Sequence, residues 1–140
     1  MDINSNKLCN DLLDLGIGFN KTTNLKMPII SDSLKRHFIR GYVDGDGCFT
    51  CVRRKDYPNK YRYGFELVGK SISILEDIQS YFQANDIKTN IYVRKTNNCF
   101  RLMSASKKEV SKIINLLYDD SNVFMERKYD VTRNILQLAA

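Results

Sequence analysis

The segment Phe38-Ile39-Arg40-Gly41-Tyr42-Val43-Asp44-Gly45-Asp46-Gly47-Cys48-Phe49 constrains this chain more than any other. Its apolar spacing belongs to a helix that Ser31-Asp32-Ser33 is placed to cap, expected over about residues 33–44. Gly41 and Gly45 stand four apart, on one face of that helix. Each glycine costs about 1 kcal/mol of helix propensity relative to alanine, so another interaction has to offset the loss. Glycines at this spacing let a second helix approach to backbone contact, as small-xxx-small pairs do in membranes. The helix ends in Asp-Gly, with Asp46 at its C-terminal edge, where the macrodipole disfavours a carboxylate. A bound cation relieves that cost, so the placement points to a metal.

Blander explanations of the same residues are mostly excluded. An EF-hand loop fails because Cys48 stands where a third Asp or Asn is required, and no Glu occupies the twelfth position. A phosphate loop fails because no Gly-Lys-Ser/Thr follows. A plain Asp-Gly-Asp-Gly turn stays open at this point.

The rest of the chain alternates between two periodicities. Residues 5–15 read as a short helix with Leu8, Leu12 and Leu15 on one face, ended by Gly16 and Gly18. Residues 48–55 and 60–68 read as strands joined through Tyr57-Pro58-Asn59. Ser73-x-x-Glu76 looks like a capping box opening a helix to about residue 84, with Leu75, Ile78 and Phe82 facing inward. Residues 90–95 and 99–104 form a second hairpin, turning at Thr96-Asn97-Asn98. Ser106-x-x-Glu109 is a second capping box, before a helix carrying Val110, Ile113, Ile114 and Leu117. A last helix covers roughly residues 125–138. From residue 33 the order is α-β-β-α-β-β-α-α. Residues 1–30 read as a helix and linker-like segment, and residues 31–140 as the main domain.

The strands sort their side chains by alternation. One face takes Phe49, Cys51, Tyr61, Tyr63, Phe65, Leu67, Ile91, Val93, Phe100 and Leu102, and is apolar enough to be covered by helices. The other takes Thr50, Val52, Arg54, Lys60, Arg62, Gly64, Glu66, Tyr92, Arg94, Cys99 and Arg101. Such a face suits double-stranded DNA: base edges offer acceptors to Arg and Lys, and phosphates offer charge. A plain solvated sheet face is the competing reading. Arg53-Arg54-Lys55 lies at a hairpin tip that reaches towards phosphates. Tyr61 and Tyr63 share the apolar face, so core packing is expected of them, and Lys107-Lys108 reads as a solvated helix face.

Composition adds bounds. The 140 residues carry a formal charge of +6, a mild excess that favours a nucleic-acid partner without proving one. No apolar run approaches the ~20 residues of a membrane span, and Met1-Asp2-Ile3-Asn4-Ser5 does not open a signal peptide. A cytoplasmic protein of a bacterium or phage, or an organellar one, is expected, and richness in Asn, Lys and Ile suggests an AT-rich genome. Cys48 and Cys51 have zinc-like spacing but lie on a strand, where residues three apart point to opposite faces. The four cysteines are therefore expected as buried or half-buried thiols. His37 has no evident nucleophile or carboxylate partner and is expected at the helix surface or an interface.

Ile39-Arg40-Gly41-Tyr42-Val43-Asp44-Gly45-Asp46-Gly47 resembles the nine-residue LAGLIDADG signature of homing endonucleases, keeping the packing Gly, both acids and the final Gly. The α-β-β-α-β-β-α order read above is that family's core, and the resemblance covers about residues 33–138. It implies an α+β fold whose four-stranded antiparallel sheet is a saddle over the DNA major groove. It also implies two motif helices packed across a twofold axis, with Gly41, Gly45 and Asp44 at that interface and Asp44 supporting the helix end. Asp46 matches the catalytic, metal-binding carboxylate for Mg²⁺ or Mn²⁺, and the Gly47 carbonyl often joins it. Lys128 falls near the family's basic residue beside the scissile phosphate. DNA contacts fall to Thr50, Arg53, Arg54, Lys55, Lys60, Arg62, Glu66, Tyr92, Arg94 and Arg101. Where many members carry a polar, water-positioning residue near the end of the second strand, this chain has Val68-Gly69. With one motif, cutting both strands requires a homodimer or a partner half. The implied function is site-specific, metal-dependent cleavage of double-stranded DNA, of the kind that mobilises introns and inteins. A non-cleaving DNA or RNA regulator or maturase on the same fold is the alternative.

Overall fold

Strands with one apolar face need helices to cover it, and the chain supplies them in order. The computed structural model describes residues 5–18, 23–94 and 98–140. The elements are α1 (Asn6–Asp14), α2 (Asp32–Asp46), β1 (Gly47–Arg53), β2 (Tyr61–Gly69), α3 (Ile72–Ala84), β3 (Asn90–Arg94), β4 (Cys99–Ser104), α4 (Lys107–Tyr118) and α5 (Glu126–Ala139). The strands form one antiparallel sheet in the order β1-β2-β4-β3. The fold is α+β, and its helices cover one face of that sheet.

The core forms where the helical stripes meet the apolar strand face. Phe49, Tyr63, Phe65, Leu67 and Leu102 come from the sheet, and Ile39 and Val43 from α2. Leu75, Ile78 and Phe82 come from α3, Val110, Ile113, Ile114 and Leu117 from α4, and Ile135 from α5. Each such side chain contributes about 1.5–3 kcal/mol by leaving water. The ring of Phe65 sits between those of Phe49 and Phe82, at centroid distances of 5.2 and 5.9 Å. Val93 departs from expectation. It is 66% exposed, because β3 is an edge strand that the helices do not reach over at that point.

Several local expectations shift by a few residues. Helix α2 continues two residues past 44, because the Gly47 N–H donates to the Val43 carbonyl and closes another turn. Ser73 does not cap α3. The helix begins at Ile72, and the preceding Ser71 donates its hydroxyl to the Leu25 carbonyl instead. At α4 only half of the box forms: Ser106 accepts from the Glu109 N–H, while the Glu109 carboxylate accepts from the Lys88 N–H. Gly16, at φ +81°, ends α1 with the paired Gly16-to-Leu13 and Ile17-to-Leu12 bonds of a Schellman turn. Helix α1 buries no residue, whereas Leu25 and Met27 pack against the core and the Met27 N–H donates to Asp77. The Asn20-Lys21-Thr22 stretch and Thr96-Asn97 of the second turn lie outside the described residues.

Cys48 and Cys51 fall on opposite faces of β1, as alternation requires. Burial of the thiols is less than expected: Cys9 and Cys48 are exposed, since α1 buries no residue and the Cys48 face of the sheet is uncovered. No helix among the described residues is long and apolar enough to cross a membrane.

Candidate functional site

The chemistry-bearing residues gather where α2 ends and β1 begins. Helix carbonyls at a C-terminus lack partners, and here the first turn of α5 supplies a donor for them. Lys128 Nζ donates to the Val43, Asp44 and Gly47 carbonyls at 2.9, 2.6 and 2.6 Å. Its positive charge also offsets the negative end of the helix dipole. Gly47 has to be glycine, because a Cβ there would meet the Val43 carbonyl oxygen at 2.7 Å. The reversal from helix to strand is that tight.

Asp44 and Asp46 then part company. Asp44 is buried and turns inward, where it ties the end of α2 to the end of α4 and the segment that follows it. Its carboxylate accepts from the Tyr118 hydroxyl at 2.6 Å and from the Met125 N–H at 2.9 Å. Burial, and then that bond to Asp44, pushes the Tyr118 hydroxyl well above the ordinary tyrosine range. Asp46 is exposed and lines a pocket of about 380 Å³ with Gly45, Gly47, Cys48, Phe49, Arg127, Lys128 and Val131. Tyr42 is close enough for the Asp46 charge to add to burial in raising its hydroxyl.

The outward side of α2 is bare. Among the described residues, nothing lies within 4 Å of a Cβ placed at Gly41 or at Gly45. Leu34 is 53% exposed on the same helix. His37 is half-buried, and its imidazole is held below the ordinary value by desolvation and by the charges of Arg40 and Arg36.

The open face of the sheet carries most of the expected DNA-contacting residues in register. Thr50 lies opposite Gly64, Val52 opposite Arg62, Glu66 opposite Cys48, and Tyr92 and Val68 flank Arg101. Gly64 leaves room for Thr50, whose Oγ1 a Cβ would meet at 2.5 Å. Arg94 is exposed at the end of β3. At the hairpin tip, Arg54 and Lys60 stand over the Tyr57 ring at 5.2 and 5.3 Å, and Lys55 is exposed beside them. Arg53 does not join this face. Parity turns it to the helix side, where it stands over the Tyr61 ring and donates to the Tyr61 hydroxyl. Arg101 and Glu66 pair with each other through two bonds of 2.6 and 2.7 Å.

A family model described as LAGLIDADG endonuclease matches residues 39–133 of the 140. The chain belongs to the LAGLIDADG endonuclease family. Solved structures agree in fold. The homing endonuclease I-CvuI, determined in complex with DNA, superposes with a TM-score of 0.60 at 23% identity over 77% of this chain and 67% of that one. I-TnaI, a homing endonuclease, gives 0.58 at 14% over 74% and 70%. The meganuclease I-AabMI, bound to uncleaved DNA, gives 0.58 at 19% over 73% of this chain but 35% of that one. Among curated proteins none matches the chain.

Within the LAGLIDADG helix, the inward-facing residues are the ones sequence reasoning missed. Arg40 is buried, with its guanidinium donating to the Leu117 carbonyl at 3.0 Å and the Val123 carbonyl at 2.8 Å. Tyr118 and Met125, partners of Asp44, lie more than 70 residues away in sequence, and no local pattern announces them. Arg127 carried no signal beyond its neighbour Lys128, yet it is the exposed cation of the Asp46 pocket. Among the described residues no cluster of three or more His, Cys, Asp or Glu side chains is placed to hold a metal ion. One chain offers the exposed Asp46 carboxylate and a Gly47 carbonyl already shared with Lys128. That donor set suits Mg²⁺, which keeps several waters and binds through one or two carboxylates and phosphate oxygens.

Proposed function

We propose that this chain is a site-specific, metal-dependent DNA endonuclease that acts as a homodimer. The observation that carries the reading is an exposed carboxylate, Asp46, at the end of a helix whose outer side is bare at Gly41 and Gly45. A second copy packed on those glycines brings its own Asp46 alongside. The two Asp46 carboxylates would hold Mg²⁺ or Mn²⁺, and the two open sheet faces would form one saddle. When bound, the metal supplies an activated water and stabilises the leaving oxygen.

The chain's own residues divide the remaining work. Lys128 holds the Val43, Asp44 and Gly47 carbonyls and so fixes where Asp46 stands. Arg127, exposed at the pocket, meets the phosphate being cut and stabilises its developing charge. Arg54, Lys55, Lys60, Arg62 and Arg94 contact the duplex from the open face. The natural target lies in DNA flanking the gene, consistent with intron or intein mobility.

The test is cleavage of a plasmid carrying that flanking DNA, with Mg²⁺ and with EDTA, beside a mass measurement in solution. Cutting only with Mg²⁺ and a mass near twice 16.3 kDa are expected. Cutting that survives EDTA, or a 16.3 kDa species that cuts both strands, overturns the reading. A non-cleaving DNA or RNA binder is the second reading. It is favoured by the three carbonyls that already occupy Lys128 and by Val68-Gly69 at the end of β2. Tight binding without cutting at any Mg²⁺ concentration would establish it.

A further inference from the structure

The middle of the open sheet face carries one guanidinium that is already fixed in space. Glu66 lies on β2 and Arg101 on β4, the two central strands. They are diagonal neighbours, since Glu66 faces Met103 and Arg101 faces Val68. Arg101 Nε donates to Glu66 Oε1 at 2.6 Å and Nη2 to Oε2 at 2.7 Å. That fork sets the plane of the guanidinium as well as its position. It uses two of the five N–H donors and leaves both hydrogens of Nη1 and one of Nη2. Both side chains are close to a third exposed, so these donors reach the space above the sheet. The bonds from Arg101 also hold the Glu66 carboxyl below its usual range, so the pair is ionic at neutral pH.

The other cations on this face differ. Arg62 and Arg94 are exposed, and Arg54 and Lys60 stand over Tyr57 at the hairpin tip. Exposed cations without such a fork suit phosphates, which need charge more than direction. A fixed pair of N–H donors suits the adjacent O6 and N7 acceptors that guanine presents in the major groove. Adenine offers a donor at one of those places, and a fork of donors rejects it.

We infer that Arg101, held by Glu66, reads one guanine in each half of the target duplex. Arg101 is then a base-reading residue and Glu66 a positioning residue that acts through it. The inference rests on the DNA-binding part of the function proposed above and names the base that part of the surface selects.

The experiment selects duplexes from a randomised pool with the full chain, using Ca²⁺ in place of Mg²⁺ to prevent cutting. The wild-type chain is expected to enrich one G·C pair per half-site, preferred over the other pairs by about 10- to 100-fold. Arg101→Lys keeps the charge and loses the fork, so the preference at that pair disappears while other positions keep theirs. Glu66→Gln weakens the same single preference, and thermal melts beside the wild type establish that both variants fold. Equal weakening of all duplexes by Arg101→Lys, or an unchanged preference at every position, overturns the inference alone. A pool from which the wild type enriches nothing overturns the DNA-recognition reading as well.

Discussion

The two sides of the LAGLIDADG helix show how one element is finished on one side and unfinished on the other. Inward, Arg40, Val43 and Asp44 are buried, and each polar group among them has partners: Leu117, Val123, Tyr118, Met125 and Lys128. Outward, a Cβ at Gly41 or Gly45 would meet nothing among the described residues, and Asp46 is exposed. Asp44 and Asp46 differ by two positions, or about 200° around a helix, and that rotation alone assigns one to the fold and the other to the pocket. The inner side needs only this chain. The outer side is the one that the proposed homodimer would cover.

The largest effect expected from breaking this contrast is at Asp46. Asp46→Asn should lower Mg²⁺-dependent cutting by at least about 100-fold, read from plasmid cleavage, with DNA affinity and melting temperature unchanged. The opposite pattern is expected at Asp44. Asp44→Ala strands the buried Tyr118 hydroxyl and Met125 N–H and should cost about 3 kcal/mol in urea denaturation. Should Asp44→Ala leave stability intact while abolishing cutting, the inward assignment would be wrong.

The cations sharpen the same division. Arg127→Ala should slow cutting by about 10- to 100-fold without moving the urea midpoint. Lys128→Met should cost about 1–2 kcal/mol of stability, because three carbonyls at the helix end lose their donor. If Lys128→Met proved as stable as wild type, the ammonium would belong to the phosphate and not to the helix. The smallest effect is the most discriminating. Gly41→Gln should raise the stability of the single chain by about 1 kcal/mol, since it meets nothing and improves helix propensity. The same variant should halve the mass in solution, read by sedimentation, because a side chain now fills the space a second helix needs.

Much of this was legible in the residues. Strand alternation separated Phe65 and Leu67 from Glu66 correctly, because period two is imposed by the backbone itself. The helical stripes of Leu75, Ile78 and Phe82, and of Val110, Ile113 and Leu117, are buried as their spacing required. Arg53 was harder to place. It stands beside Arg54 in a basic run, and only strand parity and the Tyr61 ring decide which way it turns. Ser73 and Ser106 both matched a capping pattern, yet only Ser106 caps, because α3 starts at Ile72, one residue before Ser73, and the Ser71 hydroxyl is claimed by the Leu25 carbonyl. Pattern matching gives the candidates for a cap, and the path of a neighbouring segment selects among them.

By itself the sequence determined the order of elements, the two faces of the sheet and the acid-glycine end of the motif helix, since all three follow from local periodicity. Tertiary structure decided what Asp44, Lys128 and Arg101 each hold. Their partners come from segments distant along the chain, the end of α4 and start of α5, the end of α2, and β2. A charged side chain reports its residue type in the sequence. Which oppositely charged or polar group it meets is settled by packing, because only the folded core brings those groups within hydrogen-bonding distance.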